Sequence, residues 1–202
     1  MTLFHLVRHG EHRLQGGLAA GRTPGIGLSP QGRREAAAVA LRLAGEKIDA
    51  IYASPLDRTR ETAEIIARGL DLPVVIREDL IEIDFGDWTG LTFDQVRTDK
   101  RWELWRSCRS IAAIPNGESW RRVQERIVDA LVDLRRRHPD GTVVVVSHGD
   151  VILAALLFAL GMPLDLYNRI EIATASLSTV RLDDGGIRVP TVNERPRAAE
   201  LG

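Results

Sequence analysis

The sequence predicts an α/β fold with a mainly parallel central sheet. Short apolar runs alternate with longer segments of helical period, the pattern of strand–helix–strand units. One of those runs, Thr142–Val146, is an unbroken β-branched stretch, as a strand buried on both faces requires. With 202 residues, 44% hydrophobic and 27% charged, the chain can bury a substantial core and does not read as disordered. No repeat, low-complexity tract or linker interrupts it. A single domain over residues 1–202 is expected, with a loosely held tail at 193–202.

Leu3–Val7 reads as the first strand, ending at Arg8-His9-Gly10, and a glycine-rich loop without clear period follows from Glu11 to Leu28. Ser29-Pro30 gives an N-cap with proline at the first helical position, and the helix runs through Ala36, Ala40 and Leu43 to a glycine stop at Gly45. Ile48–Ala53 is the second strand. Ser54 and Asp57 open the next helix as a shortened capping box; it carries Thr62, Ile65 and Ile66 on one face and ends near Gly69. Pro73–Ile76 is the third strand. Residues 79–117 read as loop and short helices covering one end of the sheet, and they hold Trp88, Trp102 and Trp105. A long helix runs from about Glu118 to His138, with Val123, Ile127, Ala130, Leu131 and Leu134 at helical spacing. After strand Thr142–Val146, the stretch Val151–Leu160 is apolar all round and predicts a buried helix. Ala175–Leu182 and Ile187–Val189 form a closing hairpin around Asp183-Asp184-Gly185-Gly186.

Composition excludes several classes of function. The 27 basic and 28 acidic residues nearly cancel, so no global field draws nucleic acid or an anionic membrane. The apolar run at 151–160 is too short to span a bilayer, and the N-terminal stretch is too short for a signal segment. The single cysteine, Cys108, permits no internal disulfide, and a cytoplasmic protein is the default expectation. Oligomeric state is left open.

Two strand ends share one design: an apolar strand, then histidine and glycine, at Arg8-His9-Gly10 and Ser147-His148-Gly149. Ligands of open parallel sheets bind beyond the carboxyl ends of the strands, where His9 and His148 can converge. Arg8 offers a guanidinium suited to phosphoryl oxygens, and Arg58, in a helical first turn, can point to the same edge. Gly10 and Gly149 would let the backbone approach a ligand. Taken singly, either histidine also reads as a satisfied polar residue, and Arg58 as a solvated helix charge. His5 reads as packing within the first strand, His12 and His138 as surface residues, with His12 near enough to the site for substrate contact, and Arg135-Arg136-Arg137 as a complement to the helix dipole or, less favoured, a site for an anionic partner.

Four separated segments, in order, resemble the histidine phosphatase superfamily, or phosphoglycerate mutase-like family. They are Leu6-Val7-Arg8-His9-Gly10-Glu11, Ala53-Ser54-Pro55-Leu56-Asp57-Arg58-Thr59, Glu82-Ile83-Asp84-Phe85-Gly86-Asp87-Trp88-Thr89-Gly90 and Val146-Ser147-His148-Gly149, with a weaker fifth at Pro115-Asn116-Gly117-Glu118-Ser119. The resemblance implies a three-layer α/β/α fold and a phosphoryl-transfer site. It makes His9 the nucleophile, places Arg8, Arg58 and His148 around the phosphoryl oxygens, and makes Glu82 the proton donor to the leaving alcohol. Such a carboxyl needs a raised pKa, which burial against Phe85 or Trp88 would supply. No metal is implied, since arginines supply the positive charge. A metal hydrolase reading lacks an evident third ligand.

The chain departs from the family pattern at Leu14 and Gln15, where many members have Trp-Asn; Gln15 keeps an amide for phosphate. Gly21 and Arg22 fall where the family's loop approaches substrate, and Arg22 either reads an acidic group or faces solvent. Asp150 stands where relatives have glycine or a neutral polar residue; it either repels a highly anionic substrate or caps the helix that begins there, the better of the two readings. The expected activity is hydrolysis of a small phosphorylated metabolite through a phosphohistidine. Its rival is a cofactor-dependent phosphoglycerate mutase, the one case needing 2,3-bisphosphoglycerate. Residues 83–147 look short for a mutase and lack a lysine-bearing segment to grip a second anionic group. A non-catalytic phospho-ligand-binding module is the remaining alternative, against which nucleophile and acid are both present.

Overall fold

The computed structural model describes residues 1–14 and 16–196. Its six strands are β1 (Thr2–Arg8), β2 (Ala50–Ala53), β3 (Val74–Ile76), β4 (Thr142–Ser147), β5 (Leu177–Asp183) and β6 (Gly186–Glu194), forming one sheet in the order β3-β2-β4-β1-β5-β6. β1, β2, β3 and β4 run parallel, β5 pairs antiparallel with β1, and β6 pairs antiparallel with β5 at the edge. The helices are α1 (Pro30–Leu43), α2 (Asp57–Arg68), the short α3 (Phe93–Val96) and α4 (Trp102–Ser107), α5 (Trp120–Arg137) and α6 (Gly149–Ala159).

The alternation of side chains along a strand divides the core in two. Val143 and Val145 of β4 join Phe4 and Leu6 of β1 in a cluster with α5, α6 and the tryptophans. Val144 and Val146 join Val7 in a second cluster with Val39 and Leu43 of α1 and Ala63 and Ile66 of α2. Both faces of β4 are therefore covered, as its unbroken β-branched sequence requires, and the layers are helix, sheet and helix. α6 departs from expectation at its end: Val151–Leu157 are buried, but Phe158 is 50% exposed and Leu160 43%.

Several local expectations need correction. Ser29 caps α1 as predicted, accepting from the Gly32 N–H, and α2 ends at Gly69 as predicted, but Gly45 takes no left-handed backbone after α1. α2 has no side-chain cap: Leu56 is its N-cap residue, Ser54 is turned into the core, and Asp57 instead accepts from the Gly25 N–H at 2.8 Å. His138 is half-buried, with Nε2 hydrogen-bonded to Tyr52 at 2.8 Å. Residues 193–194 are no loose tail, since Glu194 pairs with Leu177 and the Asn193 side chain accepts from the Ala173 N–H. Arg195 pairs with Glu171 at 3.0 Å, and residues 197–202 of that tail lie outside the described residues.

Residues 79–117 do more than cover a sheet end. Trp88 and Trp105 pack edge-to-face at 5.6 Å inside the larger core cluster, and the partly buried Trp102 packs against it, 5.3 Å from Trp105. Residues Ala19, Gly90 and Leu91 bond backbone to backbone, fastening this segment to the loop before α1. The other end of that loop is held by a glycine pair. A β-carbon on Gly10 would collide with the Gly32 carbonyl, and one on Gly32 with the Glu11 backbone. Gly32→Ala is expected to cost about 2–3 kcal/mol through this overpacking, read as a lowered denaturation midpoint. An unchanged midpoint would mean that the start of α1 can shift freely.

Candidate active site

The site forms because β1 and β4 are parallel neighbours. Their register pairs Arg8 with Ser147, so His9 and His148 leave the sheet side by side. The His9 N–H donates to the Ser147 carbonyl at 3.0 Å, and the two imidazoles stand 5.3 Å apart. Arg8, His9, Arg58, Glu82, Gly21, Gly149 and Asp150 line one cleft of about 290 Å³, whereas His148 sits fully buried beside it.

His9 has a defined tautomer. Its Nδ1 lies 2.8 Å from the Gly10 carbonyl, which can only accept, so the proton is on Nδ1 and Nε2 carries the lone pair. Burial, then the charges of Arg58 and Arg8, hold its pKa well below the usual histidine value, so the ring is neutral at pH 7. His148 is held low by burial and then by Arg58. Its Nε2 shares a 2.7 Å hydrogen bond with the Ser54 hydroxyl, and Nδ1 stands 3.7 Å from a Glu82 carboxylate oxygen. Sequence reasoning gave Ser54 to a helix cap; the structure gives it to the second histidine.

Arg58 is buried and Arg8 half-buried, both with donors to spare. Arg8 gives Nη1 to the Ile172 carbonyl at 2.6 Å, and Arg58 gives Nη2 to the Gly21 carbonyl at 2.7 Å. The positive φ of 46° at Gly21 turns that carbonyl toward the arginine. Arg8 Nε, Arg58 Nε and Nη1, and His148 Nδ1 are buried without a partner among the described residues. Each such donor costs about 1–3 kcal/mol when unmet. A set of them around one cleft is chemistry arranged for a polyoxygen anion.

Glu82 carries the opposite charge beside them. Burial, and next the charge of Asp150, push its carboxyl up to about 7, against the pull of Arg58 and Arg8. Its Oε1 accepts from the Ile83 N–H at 2.9 Å. Its backbone carbonyl accepts from Arg22 Nε at 2.8 Å, while Arg22 Nη2 pairs with Glu118 at 2.9 Å. Arg22 therefore does not face the cleft as a reader of substrate; it braces the segment that carries Glu82.

Other sequence expectations meet the structure unevenly. Gly10 packs closely on Gly32, whose carbonyl a β-carbon at Gly10 would meet. Gly149 lies against Arg8: a β-carbon there would meet the guanidinium at 3.3–3.4 Å. Gln15 lies outside the described residues. Asp150 does not cap α6, whose N-cap residue is His148; it sits in the first turn and faces the cleft. His12 is a correction. It is 8% exposed, lines the cleft, and its ring is 5.4 Å from that of His9. Its Nδ1 accepts from the Leu14 N–H at 3.2 Å, and burial followed by Arg58 lowers its pKa to about 4, leaving a neutral ring with its proton on Nε2. Arg109 was also missed. It is buried with its guanidinium 3.5 Å from the Tyr167 ring centre, 3.8 Å from Trp105 and 4.4 Å from Trp120. Nothing local in an irregular segment signals such a residue. His5 is buried in β1, bonded to Glu46 at 2.7 Å. Among the described residues no group of three His, Cys, Asp or Glu side chains could hold a metal, and no helix is long and apolar enough to cross a membrane.

Known proteins resemble this chain in sequence and fold. The chain is 33% identical over 189 residues to phosphoserine phosphatase 1 of Hydrogenobacter thermophilus, covering 91% of this chain and 88% of that protein. It is 35% identical over 197 residues to a bifunctional protein of Mycobacterium tuberculosis, spanning 96% of this chain but 54% of that one. A crystal structure of a mutant phosphoserine phosphatase from Entamoeba histolytica, bound to phosphoserine, superposes with a TM-score of 0.87 at 31% identity, covering 96% of this chain and 97% of the other. The model of the histidine phosphatase superfamily, branch 1, matches residues 4–195, and this chain belongs to that family.

Proposed function

We propose that the protein hydrolyses phosphate monoesters of small metabolites through a phosphohistidine on His9, without a metal or other cofactor. The observation that carries this reading is the ring of buried, unpartnered donors on Arg8, Arg58 and His148 beside a neutral His9 whose Nε2 bears the lone pair. Nε2 attacks phosphorus, and the ester oxygen departs with the proton of the Glu82 carboxyl. Water then attacks the phosphohistidine and returns a proton to Glu82, releasing phosphate. The donors hold the equatorial oxygens through both steps, where charge gathers in the transition state. For His148 Nδ1 to donate, its Nε2 must accept from the Ser54 hydroxyl, so Ser54 positions that donor.

The same groups could return the phosphoryl group to a second hydroxyl, as in a mutase, and a 2,3-bisphosphoglycerate-dependent phosphoglycerate mutase of Bartonella quintana is 32% identical over 186 residues. Hydrolysis is supported by the cleft's cations. Arg8 and Arg58 are its arginines among the described lining residues, and Arg22 is bonded to Glu118. Little is left to grip a second phosphoryl group. Turnover of 3-phosphoglycerate should be followed in chelator, with and without 2,3-bisphosphoglycerate, measuring phosphate and 2-phosphoglycerate separately. Phosphate release that survives the chelator is expected. Bisphosphoglycerate-stimulated isomerisation with little phosphate would make the protein a mutase.

A further inference from the structure

Away from the phosphoryl donors, Glu82 and His12, the lining of the cleft is apolar, with Leu18, Phe85, Phe93, Leu153 and Ile172. One charged group interrupts it. Asp150, its side chain 28% exposed, acts on the proposed chemistry only through its charge on Glu82 and accepts no hydrogen bond from any described residue. Its nearest cation, Arg109 Nη1, stands 3.8 Å away, too far for a hydrogen bond. Arg109 is outside the lining, its guanidinium held against Trp105, Trp120 and Tyr167. Asp150 stands in the first turn of α6.

The cleft therefore presents a carboxylate beside the phosphoryl donors, and Arg22, the cation expected to read an acidic group, is bonded to Glu82 and Glu118 instead. We propose that Asp150 binds a protonated amine of the substrate, so that phosphate monoesters of small amino alcohols are preferred over those of hydroxy acids and over bisphosphates. The proposal rests on the phosphatase reading above. An ammonium gains a charge-assisted hydrogen bond in a partly desolvated cleft, whereas a second anion meets like charge.

The test compares kcat/KM for phosphate release from phosphoethanolamine, from propyl phosphate, which puts a methyl in place of the ammonium, and from 3-phosphoglycerate. Wild type is set against Asp150→Asn and, as a second uncharged variant, Asp150→Ser. Both variants are expected to lower the phosphoethanolamine to propyl phosphate ratio about tenfold or more, the worth of one charged hydrogen bond. They should raise 3-phosphoglycerate relative to propyl phosphate. Taking ratios cancels the influence of Asp150 on Glu82, which is common to all three esters. A ratio unmoved in a folded variant overturns the proposal. Hydrolysis of p-nitrophenyl phosphate, compared with His9→Ala, separates the two readings. If it depends on His9 while the ratio is flat, only the amine proposal falls; if no phosphate release depends on His9, both fall.

Discussion

Replacing His9 by alanine is expected to lower kcat for phosphate release by about ten-thousand-fold or more, the scale on which enzymes lose a covalent nucleophile. The size of the effect follows from how completely the chain has committed this ring. Its Nδ1 proton is fixed on the Gly10 carbonyl, its backbone is tied to Ser147, and burial with two arginines keeps it neutral. No other histidine is equivalent. His148 is bonded to Ser54 through Nε2, and His12 accepts from Leu14 through Nδ1. Phosphate affinity should survive in His9→Ala, because Arg8, Arg58 and His148 keep their donors. Wild type quenched during turnover should carry an acid-labile, base-stable phosphoryl label that the variant lacks. Near-normal turnover in a folded His9→Ala would remove the phosphohistidine from the mechanism.

How much of this was legible in the sequence depends on the range of the interaction. The β-branched run of β4 and the apolar periods of α5 and α6 report burial directly, because side-chain chemistry and periodicity are local. The meeting of His9 and His148 was legible because a strand end is a fixed place in a parallel sheet and both strands carry the same ending. What local pattern could not give was the partner of each polar group. Ser54 beside Asp57 has the spacing of a cap, yet its hydroxyl faces a histidine from a distant strand. Arg22 sits in a substrate-facing loop of the family pattern and turns back to Glu82 and Glu118. His12 looks like a loop residue until the walls of the cleft bury it, and Arg109 has meaning only when three aromatic rings from separate segments close on it.

Glu82→Gln should lower kcat/KM for an alkyl phosphate by about a hundred- to ten-thousand-fold, the range for a general acid. It should cost far less with p-nitrophenyl phosphate, whose leaving group needs no proton. The pH dependence gives the sharper test, since the Glu82 carboxyl stands at about 7. Formation of the phosphohistidine needs the protonated acid, so kcat/KM for an alkyl phosphate should fall as pH rises through 7. Breakdown of the phosphohistidine needs the carboxylate. Wherever that step limits turnover, kcat should therefore rise over the same interval, and the two profiles should move in opposite directions. In Glu82→Gln both inflections should vanish. Asp150→Asn should shift them to lower pH, because the Asp150 charge is, after burial, the next cause holding the proton on Glu82. Removing the charge of Arg58 should shift them the other way, because that guanidinium favours the ionised form. Profiles that keep their inflections in Glu82→Gln would assign the proton transfer to another group.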